Sequence, residues 1–134
     1  MTDYLLDTDI CIYWLKGSQA VKDHLLNAGT EHIAISVITA AELYFGAYNS
    51  VRVKENHFQL ERFLDTITVL PLENSVLQTF GVLKAELRKE GQALADFDLL
   101  IAATALAEGR VMVTNNIRHY ERIPYIRLEN WVEV

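Results

Sequence analysis

Short apolar segments alternating with longer helical ones constrain this chain more than any other feature. Tyr4-Leu5-Leu6 stops at Asp7, Ile33-Ala34-Ile35-Ser36-Val37 is rich in branched residues, Ile67-Thr68-Val69-Leu70 runs into Pro71, and Val111-Met112-Val113-Thr114 follows Gly109. Each has the length and composition of a strand, and the first reads as buried. Ile126-Arg127-Leu128 reads as a shorter fifth. Between the strands the period becomes helical. Residues 10–28 suit one or two short helices, and Ile38, Ala41, Phe45 and Tyr48 recur on one helical stripe. A helix over about 51–65 turns Val53, Leu60 and Leu64 inward. Over 75–90, Val76, Phe80, Leu83 and Leu87 share a face, Ser75 and Gln78 are spaced as a capping box, and Gly91 is the stop. Residues 97–108 are almost wholly apolar, so that helix is buried on most sides, with Gly109 closing it. Strands and helices in this order predict an α/β fold, a parallel sheet with helices on both faces.

The 134 residues, 51% of them hydrophobic, suffice for one core, and the lack of linkers or repeats makes 1–134 a single domain. No apolar run approaches the roughly 20 residues of a membrane helix. The acidic opening MTDYLLDTD does not read as a signal peptide. Cys11 is the one cysteine, which excludes an internal disulfide and a cysteine zinc site; it sits in an apolar run, reads as packing, and fits a reducing cytoplasm. The net charge of −6 argues against a protein that coats nucleic acid. It leaves room for an enzyme that meets phosphates through metal ions in an acidic cleft rimmed by a few Arg and Lys, and for a basic partner protein.

In parallel α/β sheets ligands bind beyond the carboxyl ends of the strands. Asp7 follows the first strand, with Asp9 two residues on; Glu42 lies six residues past Ser36; Asp98, with Asp96 just before it, opens the buried helix; Thr114, Asn115 and Asn116 end the fourth strand. Carboxylates converging on one sheet edge repel, and need a cation or raised pKa values to coexist. Oxygen-only ligands suit Mg²⁺ or Mn²⁺.

Each residue also has a plainer role. Asp7 is placed to serve as a turn residue or helix N-cap, and Asp9 as a cap. Residues two apart on a helix point to different sides, so Asp7 and Asp9 are not expected to serve one site equally; of Asp96 and Asp98, one should cap the helix and the other face a metal. Thr39-Ala-Ala-Glu42 matches a capping box, yet Glu42 beside Ile38 and Phe45 on an apolar stripe would need a partner. The histidines at 24, 32, 57 and 119 lack ligand spacing; the first three read as surface or structural groups, and His119, within Arg118-His119-Tyr120-Glu121-Arg122, as part of a solvated face able to touch RNA. No glycine-rich phosphate loop is present.

Taken together, Leu5-Leu6-Asp7-Thr8-Asp9-Ile10, Ile38-Thr39-Ala40-Ala41-Glu42-Leu43, Asp98-Leu99-Leu100-Ile101-Ala102-Ala103 and Val113-Thr114-Asn115-Asn116 resemble the PIN-domain family, and within it the VapC toxins of bacterial toxin–antitoxin pairs. The resemblance covers essentially the whole chain. It implies a PIN-like α/β/α sandwich and Mg²⁺- or Mn²⁺-dependent endonucleolytic cleavage of RNA. Asp7, Glu42 and Asp98 would form the acidic core, Asp7 and Asp98 as direct metal ligands and Glu42 holding the metal or its water. Where the family often has a fourth acid, this chain has Asn116, a neutral and weaker ligand; Asp9, Asp96 and Glu121 are accessory candidates. The implied mechanism is in-line attack of a metal-activated water on a backbone phosphate, leaving 5′-phosphate and 3′-hydroxyl ends. Structured RNA such as a tRNA anticodon loop is the expected substrate. The expected partners are a cognate antitoxin, which lays a helix in a groove and blocks the acids, and a second copy of the chain, in a homodimer or a toxin–antitoxin hetero-oligomer.

Three rivals stand beside this. Leu6-Asp7-Thr8-Asp9 resembles the D-x-D start of haloacid-dehalogenase phosphatases, with Asp7 as nucleophile, Asp9 as acid, Ser36 ending the next strand and Lys84 or Lys89 as the lysine, but no later acidic pair ends a strand. A receiver domain needs an aspartate after its third strand, where this chain has Pro71-Leu72-Glu73. In a non-enzymatic interaction module the acids would be caps and solvated charges only.

Overall fold

The computed structural model describes residues 1–132. Five strands, β1 Tyr4–Leu6, β2 Ile33–Ser36, β3 Thr68–Leu70, β4 Val111–Val113 and β5 Leu128–Glu129, form one sheet in the order β3-β2-β1-β4-β5. Every pairing is parallel. Seven helices surround it: α1 Thr8–Leu15, α2 Gln19–Ala28, α3 Val37–Tyr48, α4 Val53–Leu64, α5 Asn74–Lys89, α6 Asp96–Ala107 and α7 Ile117–Tyr120. A 3₁₀ turn, Thr30–His32, leads into β2. The predicted α/β sandwich is therefore the observed one, with the fifth strand displaced toward the carboxyl end by the register of Leu128 opposite Met112. None of the described helices is long and apolar enough to cross a membrane.

Two cores lie on opposite faces of the sheet because β1, β2 and β4 alternate their side chains. Leu5, Ala34 and Met112 join Val76, Leu83 and Leu87 of α5 with Leu99, Ile101, Ala102 and Ala105 of α6. Leu6, Ile33, Ile35 and Val113 join residues from α1 to α4, together with Trp131. α6 is the most buried helix. Its alanines allow close approach to α5 and the strands, and its one buried hydroxyl, on Thr104, donates to the Leu100 carbonyl at 2.8 Å. Truncating Leu99 there would cost about 2–5 kcal/mol. Both α5 and α6 end in a glycine with positive φ, Gly91 at 70° and Gly109 at 66°. The next amides, Gln92 and Arg110, reach back to Leu87 and Ala105 at 2.8 and 2.9 Å. This is the left-handed C-terminal closure that L-residues with a Cβ enter at a cost.

Two expectations about helices fail. The stripe Ile38, Ala41, Phe45, Tyr48 is not the buried face of α3. Phe45 is 69% and Tyr48 62% exposed, while Thr39, Leu43 and Ala47 face inward. The helix is apolar nearly all round, so periodicity could not choose a face. Its rotation is set where β2 hands over to it, at the N-cap Ser36, whose Oγ accepts from Ile38 N at 3.0 Å. Likewise Ser75 does not cap α5. The helix begins one residue earlier with Glu73 as N-cap and no side-chain cap bond, and the Ser75 carbonyl instead accepts from Thr79.

Candidate active site

β1 sits in the middle of the sheet, and the connections from β1 to β2 and from its neighbour β4 to β5 run in opposite directions, so the crevice at the carboxyl ends of β1 and β4 is the natural ligand site. Asp7 and Thr114 are the first residues beyond β1 and β4, locked side by side by Asp7 N–H donating to the Val113 carbonyl at 2.8 Å. Asp7 is 7% exposed. One carboxylate oxygen accepts from Thr8 N at 2.9 Å and the other from the Thr114 hydroxyl at 2.9 Å. No Lys, Arg or His side chain among the described residues pairs with it. Burial, and secondarily the charge of Asp9, push its pKa up to about 7.

Thr8 links two of the acids. Its backbone supports Asp7, and its hydroxyl donates to Glu42 Oε1 at 2.6 Å. The Thr39 hydroxyl lies 3.1 Å from that of Thr8, and since Thr8 spends its single proton on Glu42, Thr39 is the donor between them. The capping-box reading of Thr39 and Glu42 is thereby overturned: Thr39 is buried inside α3, Ser36 caps it, and Glu42 turns toward α1.

On the other side, Asp98 Oδ2 lies 3.0 Å from His119 Nε2. His119 is therefore not part of a solvated face. It stands edge-on to Tyr120, which is buried with its hydroxyl raised in pKa by burial and by the neighbouring Asp7 and Asp98 charges. Neither Asp96 nor Asp98 caps α6. The N-cap is Ala95, and Asp96 pairs with Lys84 Nζ at 2.8 Å.

The accessory candidates divide. Asp9 does lie at the site, because Asp7 is the N-cap of α1 rather than part of it, so the two-residue helical offset does not separate them. Asp9 Oδ2 accepts from Asn115 N at 3.0 Å, while its Oδ1 is buried with no hydrogen-bond partner among the described residues. Its pKa is raised, chiefly by burial. Asn116 is the exposed N-cap of α7; its backbone N–H donates to the Thr114 hydroxyl at 3.0 Å, and its side chain makes no hydrogen bond among the described residues. Glu121 is exposed at the end of α7 and joins no hydrogen bond or ion pair of the acid cluster. Sequence reasoning gave Thr8 and Thr39 no role at the site, named Thr114 only as a strand-end residue, and read His119 as a solvated face able to touch RNA rather than as the partner of Asp98. A hydroxyl within two residues of a strand end was the signal for Thr8 and Thr114; for His119 there was none.

The donor set is carboxylates and hydroxyls, which are hard ligands. Asp9 Oδ1 is a buried acceptor without a donor, and Asp7 is a buried acid without a cation. Among the described residues no three His, Cys, Asp or Glu side chains are placed to hold one ion. The arrangement fits an ion that takes one or two protein carboxylates and keeps several waters, which is the habit of Mg²⁺.

The PIN domain family matches residues 4–124. A ribonuclease VapC2 of Haemophilus influenzae is 39% identical over 132 residues, covering 98% of this chain and all of that one. A tRNA(fMet)-specific endonuclease VapC of Salmonella typhimurium is 36% identical, covering 98% of this chain and 99% of the relative. Among solved structures, the DNA-bound VapBC complex of Salmonella typhimurium superposes with a TM-score of 0.92 at 36% identity, over 98% of this chain and 99% of that one. The VapBC2 complex of Rickettsia felis, bound to a promoter DNA fragment, gives 0.91 at 37%, over 97% and 99%. These matches leave the phosphatase and receiver alternatives without support, and the chain belongs to the PIN-domain family, on its VapC branch.

Proposed function

We propose that this chain is a Mg²⁺- or Mn²⁺-dependent endoribonuclease, the toxin of a toxin–antitoxin pair, with tRNA as substrate. The observation that carries the reading is Asp7: a carboxylate buried at the switch point of a parallel sheet, with an acidic neighbour and, among the described residues, no basic partner. A carboxylate so placed is costly unless a cation meets it. Relatives named as ribonucleases, and two named for tRNA(fMet), supply the reaction class and the choice of RNA.

Asp7 and Asp98 are the groups that would hold the ion. Bound there, a divalent cation would supply an acidified water and positive charge for a phosphate in substitution. The protein's own part is positioning. Thr8 N–H and the Thr114 hydroxyl fix both oxygens of Asp7. His119 orients Asp98, as outer partners do for metal-binding carboxylates. Thr8 aims Glu42 across the cleft, where it can accept a hydrogen bond from water.

The antitoxin's seat is the apolar groove of about 310 Å³ lined by Ile12, Leu15, Leu43, Ala47 and Leu60, between α1, α3 and α4. It suits an amphipathic helix. Ile12 lies one turn beyond Asp9 and Leu43 directly after Glu42, so a helix seated there would end at the acids. The test is to incubate partner-free protein with total tRNA, with and without Mn²⁺, beside Asp7→Asn. Discrete, metal-dependent cuts that vanish in the variant are expected. Intact RNA, together with no Mn²⁺ binding by the folded protein, would overturn the reading.

A further inference from the structure

The acid cluster accounts for the carboxyl ends of β1 and β4, but not for the surface beside it. Where α5 turns back into α6, Lys84, Leu87, Arg88, Ala93, Leu94 and Leu99 line a hollow of about 240 Å³. Leu99 belongs to the first turns of α6, the part of the helix that also carries Asp96 and Asp98. Its floor is apolar, with Leu87 and Leu99 fully buried and Leu94 packed on the same core. Its rim is cationic. Lys84 Nζ lies 2.8 Å from Asp96 and over the Phe80 ring, and exposed Arg88 makes no side-chain hydrogen bond or ion pair among the described residues. A neighbouring shallow depression shares Lys84 and Arg88 and adds Lys89. Arg122 comes in from beyond α7, donating to the Gln92 carbonyl at 3.4 Å. A chain with 18 acidic and 12 basic residues thus places four cations, Lys84, Arg88, Lys89 and Arg122, around the carboxyl end of α5, where the helix's own acids are the exposed Glu86 and Glu90.

We propose that this hollow is a nucleotide subsite, which takes one unpaired nucleotide of the substrate RNA with its base on half-buried Leu94 and exposed Ala93 and its flanking phosphates on Lys84 and Arg88. The inference rests on the ribonuclease reading and adds the path of the strand. A bare phosphate has no use for an apolar floor, and an apolar ligand has no use for two cations; a nucleotide presents a flat apolar face and a charged edge together. The volume falls below the roughly 300–1,000 Å³ of a pocket that encloses a whole drug-sized ligand, so it suits one base rather than a base pair. Asp96 gains a role: it holds Lys84 in place until a phosphate displaces it.

Binding is measured without divalent metal, on the full partner-free chain, by anisotropy of a short labelled single-stranded oligoribonucleotide and of the same sequence as a duplex. The wild type should prefer the single strand. Lys84→Gln and Arg88→Gln, both at exposed positions, should each weaken binding several-fold and flatten the salt dependence by about 0.7 in slope. Leu94→Asp should weaken it roughly 5- to 100-fold, as removal of a base platform does. Asp96→Asn should tighten binding, and should do so less in the Lys84→Gln background. Lys54→Gln on α4 is the control that should change nothing. If Lys84→Gln and Arg88→Gln bind like Lys54→Gln, the subsite is overturned. If the duplex binds as well as the single strand and a folded Leu94→Asp binds normally, the surface is only electrostatic and the nucleotide pocket is overturned. Should the expected pattern appear in a protein that cleaves no RNA with Mn²⁺, the subsite stands and the nuclease reading falls.

Discussion

Asp3 and Asp7 flank the same three-residue strand, and the fold treats them in opposite ways. Asp3, at the amino end, is exposed, 2.8 Å from His32 Nδ1 and near Arg110, and these partners hold its pKa below the usual carboxylate value. Asp7, at the carboxyl end, is buried among hydroxyls and amides beside a second acid, and its pKa rises to about 7. One is a satisfied surface charge that steadies the sheet's amino edge. The other is held in a state that folding alone does not favour. A residue type seen twice in five positions therefore says little; what surrounds it decides whether it is structural or chemical.

The contrast is sharpest under substitution at Asp7. Asp7→Asn should lower RNA cleavage by on the order of 10³-fold or more, since it removes a group that touches the reacting ion. In metal-free protein at pH 8 the same change should stabilise the fold, by on the order of 4 kcal/mol if the whole shift to about 7 is realised. Loss of both activity and stability would dissolve the contrast. Urea melts beside the cleavage assay read both.

Next comes pH. Asp7's folded pKa lies above its unfolded value of 3.8, so the native state binds more protons in between. Metal-free stability should therefore fall as pH rises from about 4 to about 7 and level off above. Added Mn²⁺ should flatten this fall by displacing the proton. Asp3 has the reverse sign. Its contribution is present above the unfolded pKa and lost as pH drops through the lowered folded one. Metal-free thermal melts across pH 4–8 of wild type and Asp7→Asn separate the two slopes; a wild type that gains stability up to pH 7 would refute the assignment.

Thr8→Val should have an intermediate effect. It keeps the amide that supports Asp7 but removes the hydroxyl that holds Glu42. A loss of about 1.5–3 kcal/mol, typical of hydrogen bonds to charged groups, and a 10- to 100-fold drop in cleavage are expected. Thr8→Ser should restore most of both. Asp9→Asn removes the charge that adds to burial at Asp7, so the midpoint of the pH-dependent stability should move down, and much of the cleavage should survive. Asp3→Asn should have the smallest effect, a slight destabilisation at neutral pH that disappears in acid, with cleavage untouched.

Much of this was legible in the chain itself. The strands were, because short apolar runs bounded by Asp7, Pro71 and Gly109 have few other uses. The closure of α5 and α6 at Gly91 and Gly109 was, because only glycine takes positive φ without cost. The acids at strand ends stood out because topology rules place ligands there. The buried face of α3 was not legible, since a helix apolar all round carries no directional signal. Nor was the partner of Glu42. Both Thr39 at short range and Thr8 far away in sequence could serve, and only the packing of α1 against α3 chose Thr8.

The sequence by itself determined the strands, the helices from α1 to α6, and which carboxylates lie at the sheet's carboxyl edge, because periodicity and turn chemistry are local; the short α7 carried no such signal. Only the tertiary structure decided what those carboxylates meet: Thr114 for Asp7, Thr8 for Glu42, His119 for Asp98 and Lys84 for Asp96. Hydrogen bonding and desolvation depend on atoms a few ångströms away, and here those atoms come from residues 12 to 107 positions distant along the chain.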